Sequence, residues 1–268
     1  MPRESAATST HWLTGIHPVR EALRARRRRL DCLWVRMEES SGPAPRERAE
    51  LVELARQAEV PVEEVEARRL AQRVEADGNA QGVALRVGPL PELTLETLVA
   101  QACEPEPGGN LLALDGVEDP QNVGALARVA EAAGVRGLIL TQRRAPALTP
   151  AVSRASAGAI EWLPVARVPN LSRALQELQK DGYWVVAAAP STGEGLYQME
   201  DKLLTGRLVV VLGSEGAGVR ASVLAQADHR VEIPMRGRIQ SLNVSTAGAV
   251  LLYDLVRRAE ASGSEGCG

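Results

Sequence analysis

The chain has 268 residues, 45% hydrophobic and 24% charged, with a net charge of −3, 3% aromatics and no phenylalanine. That length fits one large domain or two ordinary ones around an aliphatic core, and the acidic balance excludes a chain that is basic overall, so nucleic-acid contact needs a local patch. Cys32, Cys103 and Cys267 are odd in number and far apart, which excludes a disulfide framework or a zinc spacing and points to a reducing cytoplasm.

Residues 1–10 are polar and hold no apolar segment of a secretory signal. They read as a frayed tail, as do residues 261–268. From Gly15 the pattern predicts a helix over 17–27, a strand over 30–37, a helix over 46–58, a strand over 60–65, a helix near 66–75 and a strand over 82–87. This small α/β unit is taken as a first domain over 1–88. Pro89, Pro91, Pro105, Pro107, Gly108 and Gly109 punctuate the next stretch, which reads as a linker over 89–109 with one helix near 93–103. A second domain is expected over 110–268. Its strands are predicted at 111–114, 137–141, 161–164, 183–189, 208–212 and 230–233, and its helices at 122–134, 149–157, 170–181, 218–226 and about 243–260. Strands that are apolar throughout and separated by helices imply a parallel sheet covered on both faces. No stretch of about 18 apolar residues is present to span a membrane.

Nearly all positive charge is arginine, with only Lys180 and Lys202 as lysines. Genomic base bias accounts for this more readily than a need for bidentate phosphate contacts, which arginine also suits. The run Arg26-Arg-Arg-Arg29 reads either as a grip on phosphates or as a solvated helix end.

Three segments of the second domain carry candidate chemistry. The first is Leu114-Asp-Gly-Val-Glu-Asp-Pro-Gln-Asn-Val-Gly-Ala-Leu-Ala-Arg128, a strand, an Asp-Pro turn and a helix start. Asn122 falls near the N-cap, which suits either a plain cap or a site residue. Arg128 interrupts a small, apolar helix and is expected to need a partner. The second is Gly213-Ser-Glu-Gly-Ala-Gly218. It matches neither a dinucleotide fingerprint nor a P-loop, and its glycines suit close approach of backbone to a ligand. Glu215 there is either a solvated acid or an acceptor for Asn122 or Arg128. The third is Ile233-Pro-Met-Arg-Gly-Arg-Ile-Gln-Ser-Leu-Asn-Val-Ser245. Ser241 and Asn243 are redundant as caps, which favours a ligand role for at least one of them. The small residues that follow, Thr246-Ala-Gly-Ala, suit a close helix–helix contact, including one between subunits.

In order and spacing these segments resemble the SpoU (TrmH-like) family of the SPOUT superfamily, S-adenosylmethionine-dependent RNA ribose 2′-O-methyltransferases. Within it the likeness is to the branch that methylates a guanosine of 23S ribosomal RNA. The resemblance is strong over 110–258. It extends through Gly15-Ile-His-Pro-Val and Gln81-Gly-Val to a small N-terminal substrate-binding domain. One departure is visible: Asn79-Ala-Gln-Gly stands where relatives often carry His before Gln-Gly.

The resemblance implies an α/β fold. A C-terminal parallel-sheet SPOUT domain with a deep trefoil knot would follow a small α/β (L30e-like) RNA-binding domain. The knot would gather the loops at 189–196, 212–218 and 233–242 around the cofactor. By the same resemblance Gly213, Ile233 and Leu242 contact S-adenosylmethionine through their backbones, and Asn122, Arg128, Glu215, Ser241 and Asn243 form the catalytic cluster. Arg128 would clamp a phosphate beside the developing alkoxide, Asn243 and Ser241 would orient the ribose, and Glu215 would hold Asn122. RNA is the implied partner, no metal is required, and the protein is expected to be a cytoplasmic homodimer. A transfer-RNA enzyme and a catalytically silent RNA-binding module of the same fold are the alternatives.

Overall fold

The computed structural model describes residues 10–37, 44–72, 81–103, 109–190, 194–204 and 206–264. Residues 1–9 of the expected tail at 1–10, residues 265–268 of the expected tail at 261–268, Asn79-Ala80 and the middle of the expected 189–196 loop lie outside these, while residues 261–264 continue the last helix. The chain divides into two compact units: residues 1–91 with 147–162, and residues 92–146 with 163–268.

In the first unit, β1 (His11–Thr14), β2 (Leu30–Arg36), β3 (Val62–Val65) and β4 (Val83–Val87) form one sheet in the order β1-β4-β2-β3. Strand β1, absent from the sequence reading, has only four residues and pairs antiparallel with β4 at the sheet edge. That is too short for a period-2 signal. Helices α1 (Ile16–Ala25) and α2 (Pro45–Gln57) cover one face, over a core of Leu13, Val19, Leu23, Leu33, Leu51 and Leu85. Helix α3 (Ala67–Ala71) packs its Leu70 on the other face with Trp34. Gly15 precedes α1 at φ +95, and the Gln81 side-chain oxygen accepts from the Ile16 amide at 3.0 Å. Gln81 therefore serves as a long-range cap for α1, which joins the two N-terminal motifs physically.

Each arginine of the run has a partner within the first unit. Arg26 closes α1 in the left-handed region, its Nε donating to Leu23 O. Arg27 donates to the Glu161 carbonyl at 3.2 Å, and Arg29 pairs with Asp31 at 2.9 Å. Arg28 is buried, with Nη2 at 2.5 Å from Glu161 Oε1, and Ser153 Oγ donates to the same carboxylate at 2.8 Å. Burial lowers the Arg28 pKa and raises that of Glu161, and each charge opposes the other's shift. Glu161 lies in a 3-10 turn (Ala159–Glu161), and Ser153 in α6 (Pro150–Ala155). The strand expected at 161–164 is thus displaced. Glu161 is occupied by the ion pair, Pro164 has no N–H to give a ladder, and the strand begins at Val165.

The second unit holds a wholly parallel seven-stranded sheet. Its members are β5 (Leu111–Asp115), β6 (Gly137–Thr141), β7 (Val165–Val168), β8 (Trp184–Ala188), β9 (Glu194–Gly195), β10 (Leu208–Gly213) and β11 (His229–Glu232). The order is β7-β6-β5-β10-β8-β11-β9. Strands β5, β6 and β10 are buried almost end to end, as a sheet covered on both faces requires. Helix α4 (Leu95–Ala102), within the expected linker, belongs to this unit, and its Leu98 and Ala102 are core residues. Helices α5 (Pro120–Ala132), α7 (Leu171–Lys180), α8 (Ala221–Leu224) and α9 (Val244–Ser264) complete it. Helix α8 has four residues, shorter than the expected 218–226, because Gly218 at φ +65 still belongs to the preceding turn. On α9, buried Arg258 donates to Asp254 at 2.6 Å and to the Leu196 and Met199 carbonyls, fastening the 196–199 segment to the helix.

Strands β5 and β10 are neighbours in space but distant in sequence, so their C-terminal ends form a topological switch point. Ligands bind at such points in open α/β sheets.

Candidate active site

Gly213 ends β10 level with Asp115 at the end of β5. The turn after Gly213 folds back on itself, with the Gly218 amide donating to Ser214 O at 2.9 Å. A β-carbon on Gly213 would lie 2.0 Å from Gly218 C and 2.1 Å from Val219 N. The glycine is required here by the turn's own backbone, where the sequence suggested approach of a ligand. Two residues that sequence reasoning missed anchor the turn. Buried Asp115 accepts from the Arg220 amide at 2.9 Å and from its Nε at 2.8 Å, and these contacts raise the guanidinium pKa. The signal was an acid ending an apolar strand, at Leu114-Asp-Gly.

Asp119, rather than Asn122, caps α5, its Oδ1 accepting from the Gln121 amide at 2.9 Å. Asn122, in the first turn, is free to face the glycine turn, and its Nδ2 donates to Glu215 Oε1 at 3.2 Å. Asn243, just before α9, donates through Nδ2 to Asn122 Oδ1 at 3.0 Å and to Glu215 Oε1. Its Oδ1 accepts from the Ser245 amide at 2.8 Å and from Ser245 Oγ at 2.5 Å. Asn243 is therefore both a helix cap and the link between two other segments. Its two amide hydrogens and its oxygen are all in use. The Ser241 hydroxyl makes no hydrogen bond among the described residues.

A cavity of about 550 Å³ adjoins this triangle, with Leu212, the 213–218 turn, Ser241, Leu242 and Asn243 among its walls. A smaller one of about 80 Å³ shares Ser241 and Leu242 and adds Ile233 and Met235. A third, of about 280 Å³, is bounded by the 116–119 loop, Asn122 and Glu215. Seven of the eight expected site residues line these spaces. Arg128 does not. It is exposed on α5, and its side chain has no hydrogen bond or ion pair among the described residues. Six helical residues carry it about 9 Å along the axis from Asn122 and roughly 120° around it. The glycine of the small-residue stretch serves packing within the chain: a β-carbon on Gly248 would meet Leu126 at 2.4 Å and Leu212 at 2.9 Å.

The parallel sheet, with a glycine turn and an amide–carboxylate triangle beside a cavity at its switch point, defines an α/β protein with a small-ligand site at its strand ends. A model of the SpoU rRNA methylase family matches residues 109–253, and a model of the RNA 2′-O ribose methyltransferase substrate-binding region matches residues 12–93. The chain belongs to the SpoU rRNA methylase family. It is 38% identical over 247 residues to the 23S rRNA (guanosine-2′-O-)-methyltransferase RlmB of Pseudomonas putida, covering 91% of this chain and 95% of the relative. A crystal structure of an RNA 2′-O ribose methyltransferase aligns with a TM-score of 0.73 at 27% identity, over 93% of this chain and 89% of that one. The SpoU methyltransferase AviRb of Streptomyces viridochromogenes, solved with the cofactor AdoMet, shares the fold with a TM-score of 0.74 at 23% identity, over 93% and 90% of the two chains. No helix among the described residues is long and apolar enough to cross a membrane.

Proposed function

We propose that this chain transfers a methyl group from S-adenosylmethionine to a ribose 2′-hydroxyl of RNA, and that its target is a guanosine of 23S ribosomal RNA. The observation that carries the reading is the Asn122–Glu215–Asn243 triangle. Three segments far apart in sequence meet there beside a cavity of about 550 Å³. Similarity over 91% of this chain and 95% of a 23S rRNA methyltransferase supports the choice of RNA.

The residues present fit the cofactor. The cavity lies in the range of about 300–1,000 Å³ usual for such ligands. It offers main-chain groups of the 213–218 turn, apolar walls at Leu212, Leu242 and Ala247, and the polar groups of Ser241 and Glu215. When bound, S-adenosylmethionine supplies an electrophilic methyl group on a sulfonium. The backbones of Gly213, Ile233 and Leu242 hold it.

A ribose hydroxyl is a weak nucleophile at neutral pH, so alignment and removal of one proton are the chain's share of the work. Ser241, with a free hydroxyl on two cavity walls, orients the ribose. Asn243, whose amide is fully occupied, acts as a positioning residue through Asn122 and Glu215. Arg128 serves as a clamp on phosphate beside the developing alkoxide. Since Arg128 lies away from the triangle of its own chain, the complete site belongs to a homodimer in which α5 of one copy faces the triangle of its partner. The exposed side chain of Tyr253 on α9, the helix packed on α5, fits such an interface. The first unit binds the RNA, the knot of the family encloses the cofactor, and the enzyme works in the cytoplasm.

The test is Arg128→Ala in tritiated-methyl transfer. We expect loss of turnover with intact cofactor binding, and recovery of one active site when Arg128→Ala and Asn243→Ala chains are mixed. Unchanged turnover eliminates the role of Arg128.

A further inference from the structure

The strand beside β5 ends in a loop that the proposed reaction does not use. Leu114 is in register with Leu140, so Thr141 stands level with Asp115, which is itself level with Gly213. These three residues form a row across adjacent parallel strands, each about 5 Å from the next. The loops after Gly213 and Asp115 line the cavities. The loop after Thr141 carries Gln142, Arg143 and Arg144, all exposed, and neither arginine side chain has a hydrogen bond or ion pair among the described residues.

This loop is held in shape. Arg167 of β7 donates to the Thr141 carbonyl at 3.2 Å and to the Pro146 carbonyl at 2.5 Å, so one guanidinium clamps both ends. Glu92 fixes that guanidinium at 2.6 Å. Thr141 Oγ1 donates to the Arg143 carbonyl. Arg144 sits at φ +61, a conformation uncommon for any residue but glycine.

Charge gives the loop its meaning. The neighbouring strand-end loops expose Glu118, Asp119 and Glu215, and their one guanidinium, Arg220, is taken up by Asp115. A polyanion passing over these two loops meets like charge, while the loop that carries Ser241 exposes Arg236 and Arg238. The adjoining strand end offers two unpaired arginines, whose planar forks suit phosphate.

We propose that Arg143 and Arg144 form a phosphate-binding shelf for the RNA strand flanking the nucleotide to be methylated. This rests on the reading of the chain as an RNA methyltransferase. Contacts of this kind set the register of the strand and carry no sequence information themselves.

The experiment measures filter binding and methyl transfer with in vitro-transcribed 23S ribosomal RNA. It compares the parent, Arg143→Ala/Arg144→Ala and Arg143→Lys/Arg144→Lys. The alanine variant should bind this RNA about 10- to 100-fold more weakly, and its log–log salt slope should be shallower by about 1.4 to 1.8, the share of two phosphates. Turnover at saturating RNA and S-adenosylmethionine affinity should match the parent, and the lysine variant should bind within a few-fold of it. An alanine variant with the parent's affinity and slope overturns the proposal. So does one that loses turnover at saturating RNA while binding normally, because the loop would then be a scaffold for the site. A parent that binds but methylates no ribose sinks the enzymatic reading instead, and the binding comparison still decides the shelf.

Discussion

Gly213 lies so close to Gly218 that a β-carbon on the first would stand 2.0 Å from the carbonyl carbon of the second. Backbone, not a flexible side chain, occupies the space, so relief requires the whole 213–218 turn to move. Gly213→Ala should therefore weaken S-adenosylmethionine binding at least about tenfold by titration calorimetry, since ligand sites of this kind depend on preformed main-chain positions. Gly216 is the control. Open space surrounds it, but its φ is +87, so Gly216→Ala should cost about 1 kcal/mol of conformational strain with little change in affinity. Parent-like affinity in Gly213→Ala would show that the turn does not shape the cavity.

In the first unit, Arg28 and Glu161 are buried as a pair, with side chains 2% and 1% exposed. Removing one partner leaves an uncompensated charge, so Glu161→Ala should lose about 3–5 kcal/mol in urea unfolding. Replacing both with apolar residues, Arg28→Met/Glu161→Leu, removes the desolvation penalty together with the pair and should cost less than the single change. A single variant as stable as the parent would contradict the anchoring role of the pair.

Cys32 is buried on the face of the sheet that carries Trp34. Burial first, and then its contact with Glu63, push the thiol up to about 11. A folded value above the unfolded one means that this share of stability is complete below about pH 9 and disappears as pH rises through 11. Thermal stability should fall across that window, and Cys32→Ser should flatten the decline. At pH 8, iodoacetamide should label Cys103, which is partly exposed, well before Cys32, as read by peptide mass spectrometry. Equal labelling would contradict the assigned environment.

Much of this was legible in the sequence because the second unit announces itself. Runs such as Leu208-Val-Val-Val-Leu212 have nowhere to go but a doubly covered sheet, and the glycine and asparagine segments sit at strand ends as βα junctions should. What stayed illegible depends on long-range pairing. Strand β1 is defined by β4, whose paired residues lie 70 to 76 positions away, and not by its own four residues. The arginine run looked like a surface feature because its partner, Glu161, is 133 positions from Arg28. At the site, residue types pointed to Asn122, Glu215 and Asn243. Only coordinates reveal that the Asn243 amide is used up within the chain, or that Asp115 and Arg220 hold the glycine turn. The position of Arg128 was readable in part, since 122 and 128 do not share a helix face.

The most direct test of the account is to incubate the protein with tritiated S-adenosylmethionine and unmodified 23S ribosomal RNA, then map 2′-O-methyl groups by resistance to alkaline cleavage. We predict one dominant site, at a guanosine. Asn243→Ala, which strips Asn122 and Glu215 of their shared donor, should reduce its labelling about 100-fold. Label on a base rather than a ribose, or no label despite bound cofactor, would contradict the account.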